Sequence, residues 1–148
     1  MTNTILVYNV SFDNIEKYKD EIVSWHPEIA SETVEQINKF KGLDNYIWFM
    51  LFDKKSDKLY AVACVDMNLY DDKIHFNMLW ADRGFGKIMT DKMYNFYNKQ
   101  KSFRNGKKSI VFQAINDKVS EIYRTKYEDF KFIGKNDWGY DEFERYFV

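Results

Sequence analysis

The sequence predicts a mixed α/β fold of the α+β kind, with a mostly antiparallel central sheet, flanking helices and one parallel strand–helix–strand unit. Two observations carry that prediction. Three apolar runs follow one another with only turn-rich segments between them, which reads as an antiparallel meander. A glycine turn, Asp82-Arg83-Gly84-Phe85-Gly86, then leads from the last run into an amphipathic segment, and another apolar run follows. Strand, helix and strand in that order normally form a right-handed crossover with parallel strands. With 148 residues, 19% of them aromatic, the chain is expected to fold as a single domain over 1–148 with bulky material for its core.

Each element has its own signal. Ile5-Leu6-Val7-Tyr8-Asn9-Val10 reads as the first strand. Asp13 or Asn14 can cap a helix running to about Trp25, where His26-Pro27 ends it. A second helix has Ser31 as its expected cap, a buried stripe of Val34, Ile37 and Phe40, and Gly42 as its stop. The meander strands fall at residues 46–52, 59–67 and 74–80. After the glycine turn, Met89, Met93, Phe96 and Tyr97 share one face of a helix to about Lys101. Asn105-Gly106 then separates it from the strand Ser109-Ile110-Val111-Phe112. A short helix over 117–126 and strands at 130–133 and 143–148 complete the chain, which shows no internal repeat or linker.

Composition narrows the function classes. The one cysteine, Cys64, lies inside an apolar run, so the sequence offers no disulfide framework or cysteine metal cluster, and a reducing compartment fits it. Two histidines, His26 and His75, are too few for a histidine-based metal site, and no metal is expected. No stretch approaches the about 18 apolar residues of a membrane span, and Met1-Thr2-Asn3-Thr4 lacks a basic flank. A soluble, cytoplasmic protein is the expectation. A net charge of −1 argues against a general nucleic-acid binder. The charge is divided, however: residues 1–72 hold 7 Lys+Arg against 13 Asp+Glu, a balance of −6, and residues 73–148 hold 15 against 10, a balance of +5. An anionic ligand on the second half and a cationic or neutral one near the first would suit this division, as would plain surface bias.

The glycine turn is the most informative segment. Gly84 and Gly86 permit close backbone approach and unusual dihedrals, and the helix that follows adds about half a positive charge at its N-terminus. A phosphate could be held there, and a simple connector would look the same. Rival phosphate loops fit worse. Gly86-Lys87 is followed by Ile88 in place of Ser or Thr, and a dinucleotide fingerprint lacks its third glycine.

Taken in order, these elements resemble the GNAT family of N-acetyltransferases over nearly the whole chain. Two motifs carry the resemblance. Ala81-Asp82-Arg83-Gly84-Phe85-Gly86 matches both glycines of that family's pyrophosphate loop, with Ala81 where an Arg or Gln leads the pattern. A register two places on would match Arg83 and Gly86 but puts Ile88 at the last small position; the first register keeps Met89 and Met93 on the apolar helix face. The second motif is Asn116, Val119, Ile122 and Tyr123, followed by Asp129-Phe130 where the family usually has Gly-Phe.

The resemblance implies acetyl-CoA as co-substrate and direct attack by an amine, with no acyl-enzyme. It implies that Met78, Leu79 and Trp80, on a splayed strand, orient the thioester, and that Ala81, Asp82, Arg83, Gly84, Phe85, Gly86 and Lys87 hold the pyrophosphate through amides from Arg83 to Lys87. Asn116 would bond the pantetheine arm, and Tyr123 would donate a proton to the departing thiolate. Tyr123 as a packed core ring and Asn116 as a helix cap are the plainer readings. The acceptor would be a small-molecule or peptide amine, and a homodimer through the last strands is a further implication. Asp66, His75, Glu28 and His26 are candidate bases, none singled out. Trp138, Tyr140 and Phe143 could wall the acceptor, and residues 99–104 with Lys107-Lys108 could approach the adenosine phosphate or form a solvated helix end. A non-catalytic acyl-CoA-binding or interaction domain with this fold is the alternative from another class, and a purely structural domain is a third.

Overall fold

A computed structural model describes residues 3–41, 46–67, 71–114 and 117–148. Strands β1 (Thr4–Val10), β2 (Ile47–Asp53), β3 (Leu59–Asp66), β4 (Lys73–Ala81), β5 (Ser109–Ala114), β6 (Lys131–Lys135) and β7 (Asp141–Tyr146) form one sheet in the order β1-β2-β3-β4-β5-β7-β6. The helices are α1 (Phe12–Glu16), α2 (Lys19–Ser24), α3 (Ala30–Phe40), α4 (Gly86–Lys99) and α5 (Asp117–Lys126). β1 and β2 pair antiparallel, as do β2 and β3, while β4 and β5 are parallel at Lys73↔Ser109, Ile74↔Ile110 and His75↔Val111. The expected mixed sheet with its parallel strand–helix–strand unit is therefore present.

The chain forms two compact units, one of Met1–Val65 with Met78–Met93 and the other of Asp66–Asn77 with Tyr94–Val148. In the first, Ile15, Ile22, Trp25, Ile37 and Phe40 from α1 to α3 pack with Trp48, Met50, Val62, Cys64 and Trp80 from the strands. These strand residues share one face because side chains alternate along a strand, and register sets Trp48 opposite Cys64 and Met50 opposite Val62. Phe49, Leu51, Ala61, Ala63 and Val65, on the other face, are buried as well. Burial of both faces explains why these strands read as unbroken apolar runs. Trp48 and Trp80 stack at 5.8 Å and 21°, and Phe40 meets both edge-on.

Phe112 is the centre of the second unit's core. Its ring lies 4.1 Å from that of Phe76 and 4.5 Å from that of Phe130, and Tyr123 and Tyr127 of α5 pack against it. Helix α5 is also latched to β7. Ser120 Oγ donates to Asp141 Oδ2 at 2.6 Å, and Lys135 Nζ donates to Asp141 Oδ1 at 2.9 Å.

Several boundaries differ from the sequence reading. The expected helix from Asp13 or Asn14 to Trp25 is two helices, broken at Lys17-Tyr18, and its N-cap is Ser11. The break lets Tyr18 meet Phe52 edge-on at 5.7 Å, a tertiary contact that the local pattern does not encode. Ser31 lies inside α3, because the 3-10 turn Pro27–Ile29 carries the chain into that helix two residues earlier, with Ile29 at the N-cap. Thr33, with Ile37 and Phe40, is buried where Val34 was expected, and Thr33 Oγ1 donates to the Ile29 carbonyl at 3.1 Å. β7 spans Asp141–Tyr146, two residues earlier than expected. Gly42 lies outside the described residues.

Two outcomes follow from this packing. Phe40→Ala should cost about 3–5 kcal/mol in chemical denaturation, since the cavity opens between two indoles. Asp141 is held below the ordinary carboxylate range by the Ser120 hydrogen bond, then by the Lys135 hydrogen bond and charge. A lowered folded pKa contributes stability above the unfolded value of about 3.9 and loses it as pH falls through the folded value. Asp141→Asn should therefore melt below the wild type at neutral pH, with the difference shrinking in acid.

Candidate functional site

β4 ends in the first unit on a run of specific anchors. Trp80 is buried and its indole Nε1 donates to Gln36 Oε1 at 3.1 Å. The Ala81 carbonyl accepts from His26 Nε2 at 2.8 Å, and the Asp82 N–H donates to the Tyr60 carbonyl at 2.9 Å. A carbonyl can only accept, so Nε2 carries the proton. His26 Nδ1 faces Glu28 Oε1 at 3.4 Å. Glu28 is held below the ordinary carboxylate range, first by a backbone hydrogen bond and then by the charges of His26 and Arg83.

The loop then turns on itself. Asp82 Oδ1 accepts the Arg83 N–H at 2.8 Å, and the Asp82 carbonyl accepts the Phe85 N–H at 3.0 Å. Gly84 has φ +85°, and a Cβ there would meet nothing within 4 Å, so open space lies before its backbone. Phe85 lies flat on Tyr60, with ring centroids 3.9 Å apart and planes 6° from parallel. Helix α4 begins at Gly86, and its first main-chain bond to a loop carbonyl runs from Met89 N–H to Phe85 at 2.9 Å. The amides of Gly86 and Lys87 thus sit where a helix has no internal acceptor to offer them. Of the five amides expected to form the nest, those of Arg83 and Phe85 are engaged inside the turn. Lys87 Nζ reaches Asp91 Oδ2 at 2.7 Å, along the helix.

An anion at this helix N-terminus would meet open backbone and the positive end of the dipole. The loop is therefore compatible with a pyrophosphate. Asp82 sets a limit on that, since its carboxylate adds negative charge to the same turn.

In the second unit, Tyr123 sits on α5 among the rings of Phe112, Tyr127 and Phe143, with centroids 5.5, 4.8 and 5.5 Å away. Burial pushes its phenol up to about 12. Asn116 lies outside the described residues. His75 Nε2 is 2.7 Å from Asp71 Oδ2, and Cys64 is buried in the core. Trp138 is 79% exposed at the tip of the β6–β7 hairpin. Asn136 Oδ1 fixes that tip by accepting from the Trp138 and Tyr140 amides at 3.0 and 3.1 Å, while Phe143 is buried. Among the described residues no group of His, Cys, Asp and Glu could hold a metal ion, and no helix is long and apolar enough to cross a membrane.

The fold is that of the GNAT acetyltransferases. A GNAT-family acetyltransferase from Staphylococcus aureus matches 98% of this chain and 99% of its own, at 13% identity and TM-score 0.59. An acetyltransferase from Thermus thermophilus matches 99% of both chains at 10% identity and TM-score 0.65. The PaiA N-acetyltransferase of Thermoplasma acidophilum, solved in complex with coenzyme A, matches 96% of this chain and 99% of its own at 10% identity and TM-score 0.56. No family model matches the sequence, and no curated protein does.

Sequence reasoning found the loop but missed what holds it. Gln36, Tyr60 and His26 come from distant parts of the chain, and of the three the sequence offers only His26, as a candidate base. No local pattern marks a residue whose partner lies 55 positions away.

The strain at Gly84 is directly measurable. Gly84→Ala has room for its methyl group, so its effect should be conformational and about 1–2 kcal/mol. Gly84→Asn, which tolerates a left-handed backbone better, should lose less by denaturant titration.

Proposed function

We propose that this protein is an acetyl-CoA-dependent N-acetyltransferase that transfers the acetyl group to a small-molecule or peptide amine. The observation that supports this most is the Gly84-Phe85-Gly86 turn joining the pinned end of β4 to the N-terminus of α4. In this reading the amides of Gly84, Gly86 and Lys87 bind the pyrophosphate of coenzyme A, with Arg83 and Phe85 shaping the turn. Met78, Leu79 and Trp80, at the end of β4, set the position of the thioester. Asn116 keeps its proposed role toward the pantetheine arm.

The chemistry is one displacement. The acceptor nitrogen forms a bond to the acetyl carbon, the carbon–sulfur bond breaks, and the nitrogen gives its proton to solvent or a base. His26 is a positioning group here, because Nε2 donates to the Ala81 carbonyl at the end of β4 while Nδ1 faces Glu28. Tyr123 acts on the sulfur side. A phenol at about 12 is fully protonated at neutral pH. Because burial raises the phenol above the ordinary range of a thiol, complete proton transfer to the thiolate would be uphill. Tyr123 therefore stabilises the sulfur chiefly by donating a hydrogen bond as charge develops, and the thiolate is finally protonated by solvent.

A second reading, a non-catalytic acyl-CoA-binding domain, is favoured by Ala81 in the leading Arg position and by the engagement of both histidines. The two readings divide experimentally. For the transferase, coenzyme A raises the melting temperature and thiol release from acetyl-CoA depends on an added amine. Stabilisation without thiol release across a broad amine panel would select the binding domain, and absence of any stabilisation would remove both.

Two substitutions test the parts. Gly86→Glu puts a carboxylate at the phosphate position and should abolish the coenzyme A thermal shift while the protein still folds. Tyr123→Phe should lower kcat on the order of 10-fold to 100-fold with little change in coenzyme A affinity. Unchanged turnover would return Tyr123 to a core role.

A further inference from the structure

A second concentration of positive charge lies in the second unit, on residues that the proposed transfer does not use. A pocket of about 430 Å³ has Lys101, Arg104, Lys107 and Lys108 in its lining and no acidic residue there. Its size falls in the usual range for small-ligand sites, about 300–1,000 Å³.

Local structure explains why the cations gather. Lys101 and Arg104 lie on the 3-10 turn Lys101–Arg104. Asn105 and Gly106 then take left-handed backbones, φ 51° and 80°, and reverse the chain, so the Lys107 N–H donates back to the Arg104 carbonyl at 2.9 Å. Lys107 and Lys108 are thereby returned to the rim that Lys101 and Arg104 began. The Lys108 N–H donates to the Asp72 carbonyl and its own carbonyl accepts from Phe147, at 2.7 and 2.9 Å, which ties this segment to both neighbouring strand ends.

The charges differ in how they are held. Arg104 is fixed by stacking 4.8 Å from the Phe147 ring, which itself stacks on Tyr94 at 5.4 Å. Lys107 is buried, its ammonium donating to the Asp71 carbonyl at 2.6 Å and lying 4.0 Å from the Asp71 carboxylate. Lys108 pairs with Asp72 only at 4.0 Å, with both side chains exposed, a pair that contributes little and exchanges readily for a stronger anion. A Cβ on Gly106 would meet nothing within 4 Å, so its backbone is open to the pocket. The remaining wall is aromatic: Phe147 is covered as described, and Tyr146 is 63% exposed.

We propose that this pocket binds a small phosphorylated ligand with a planar ring, of the nucleoside diphosphate class. Lys101 and Arg104 from one chain segment and Lys108 from another meet two phosphate groups, and the Tyr146 ring meets the base. A single phosphate would leave most of the volume and the aromatic wall unused. The pocket residues are all outside the glycine loop, so the site stands whether or not that loop binds coenzyme A.

The test is an amide NMR titration of the full chain with UDP, with pyrophosphate and with uridine, the uracil base keeping the adenine of coenzyme A out of the comparison. UDP should give saturable shifts at Gly106, Lys108 and Tyr146, pyrophosphate weaker shifts at Gly106 and Lys108, and uridine none. The double variant Lys101→Gln, Lys108→Gln changes only exposed side chains and should keep the fold while weakening UDP about tenfold or more. Added salt should weaken it too. Shifts that do not saturate, equal binding of uridine, or indifference to the double variant would overturn the proposal. So would shifts confined to Gly84–Lys87, which would assign the diphosphate to the glycine loop, or much tighter binding of a single-stranded oligonucleotide, which would make the partner a macromolecule.

Discussion

The end of β4 is held by two side chains and one main-chain carbonyl that belong to other parts of the first unit. His26 takes the Ala81 carbonyl, the Tyr60 carbonyl takes the Asp82 N–H, and Gln36 takes the Trp80 indole. A strand end normally leaves such groups to water, and satisfying them with protein fixes the direction in which the chain leaves the sheet. Everything about the glycine loop depends on that exit. Because Asp82 is fixed, its side chain and carbonyl can close the turn on Arg83 and Phe85, and Phe85 can lie on Tyr60. The amides at the start of α4 are then aimed without help from a ligand, which is the preorganisation that anion binding requires.

Burial works differently on the other residue singled out for chemistry. Tyr123 is set among three aromatic rings, and the same desolvation that fixes its orientation raises its pKa to about 12. A more exposed phenol would be a better proton donor and a less well-placed one. Position and acidity are opposed here, and the structure favours position. The proposed hydrogen bond to developing charge would use position, so ring packing of Tyr123 is compatible with that role.

Much of the fold was legible because its signals are local. The apolar runs of β2 and β3, the glycine turn before α4 and the limits of α5 at 117–126 all follow from periodicity and punctuation within a few residues. Where the reading slipped, a tertiary contact decided the outcome. Tyr18 packing on Phe52 goes with the break between α1 and α2, and the Pro27–Ile29 turn displaced the cap expected at Ser31. The loop itself was legible as a motif, but not that Asp82 would occupy two of its amides, since the choice between solvent and main chain for that carboxylate is made by the fixed strand end. For residues 99–104 with Lys107-Lys108 the sequence offers an approach to the adenosine phosphate or a solvated helix end. The left-handed turn at Asn105-Gly106 and the returning Tyr146 and Phe147 give that segment a shape that composition does not contain.

In the proposed reading the pinned strand end presents the amides of Gly84, Gly86 and Lys87 to a pyrophosphate. That reading is tested most directly by following the backbone amide resonances of those three residues as coenzyme A is added. The account predicts saturable downfield shifts at Gly84, Gly86 and Lys87, with Arg83 and Phe85 much less affected because their N–H groups are engaged in the turn. Saturable binding that leaves the three amides unmoved, or that moves all five alike, would contradict it.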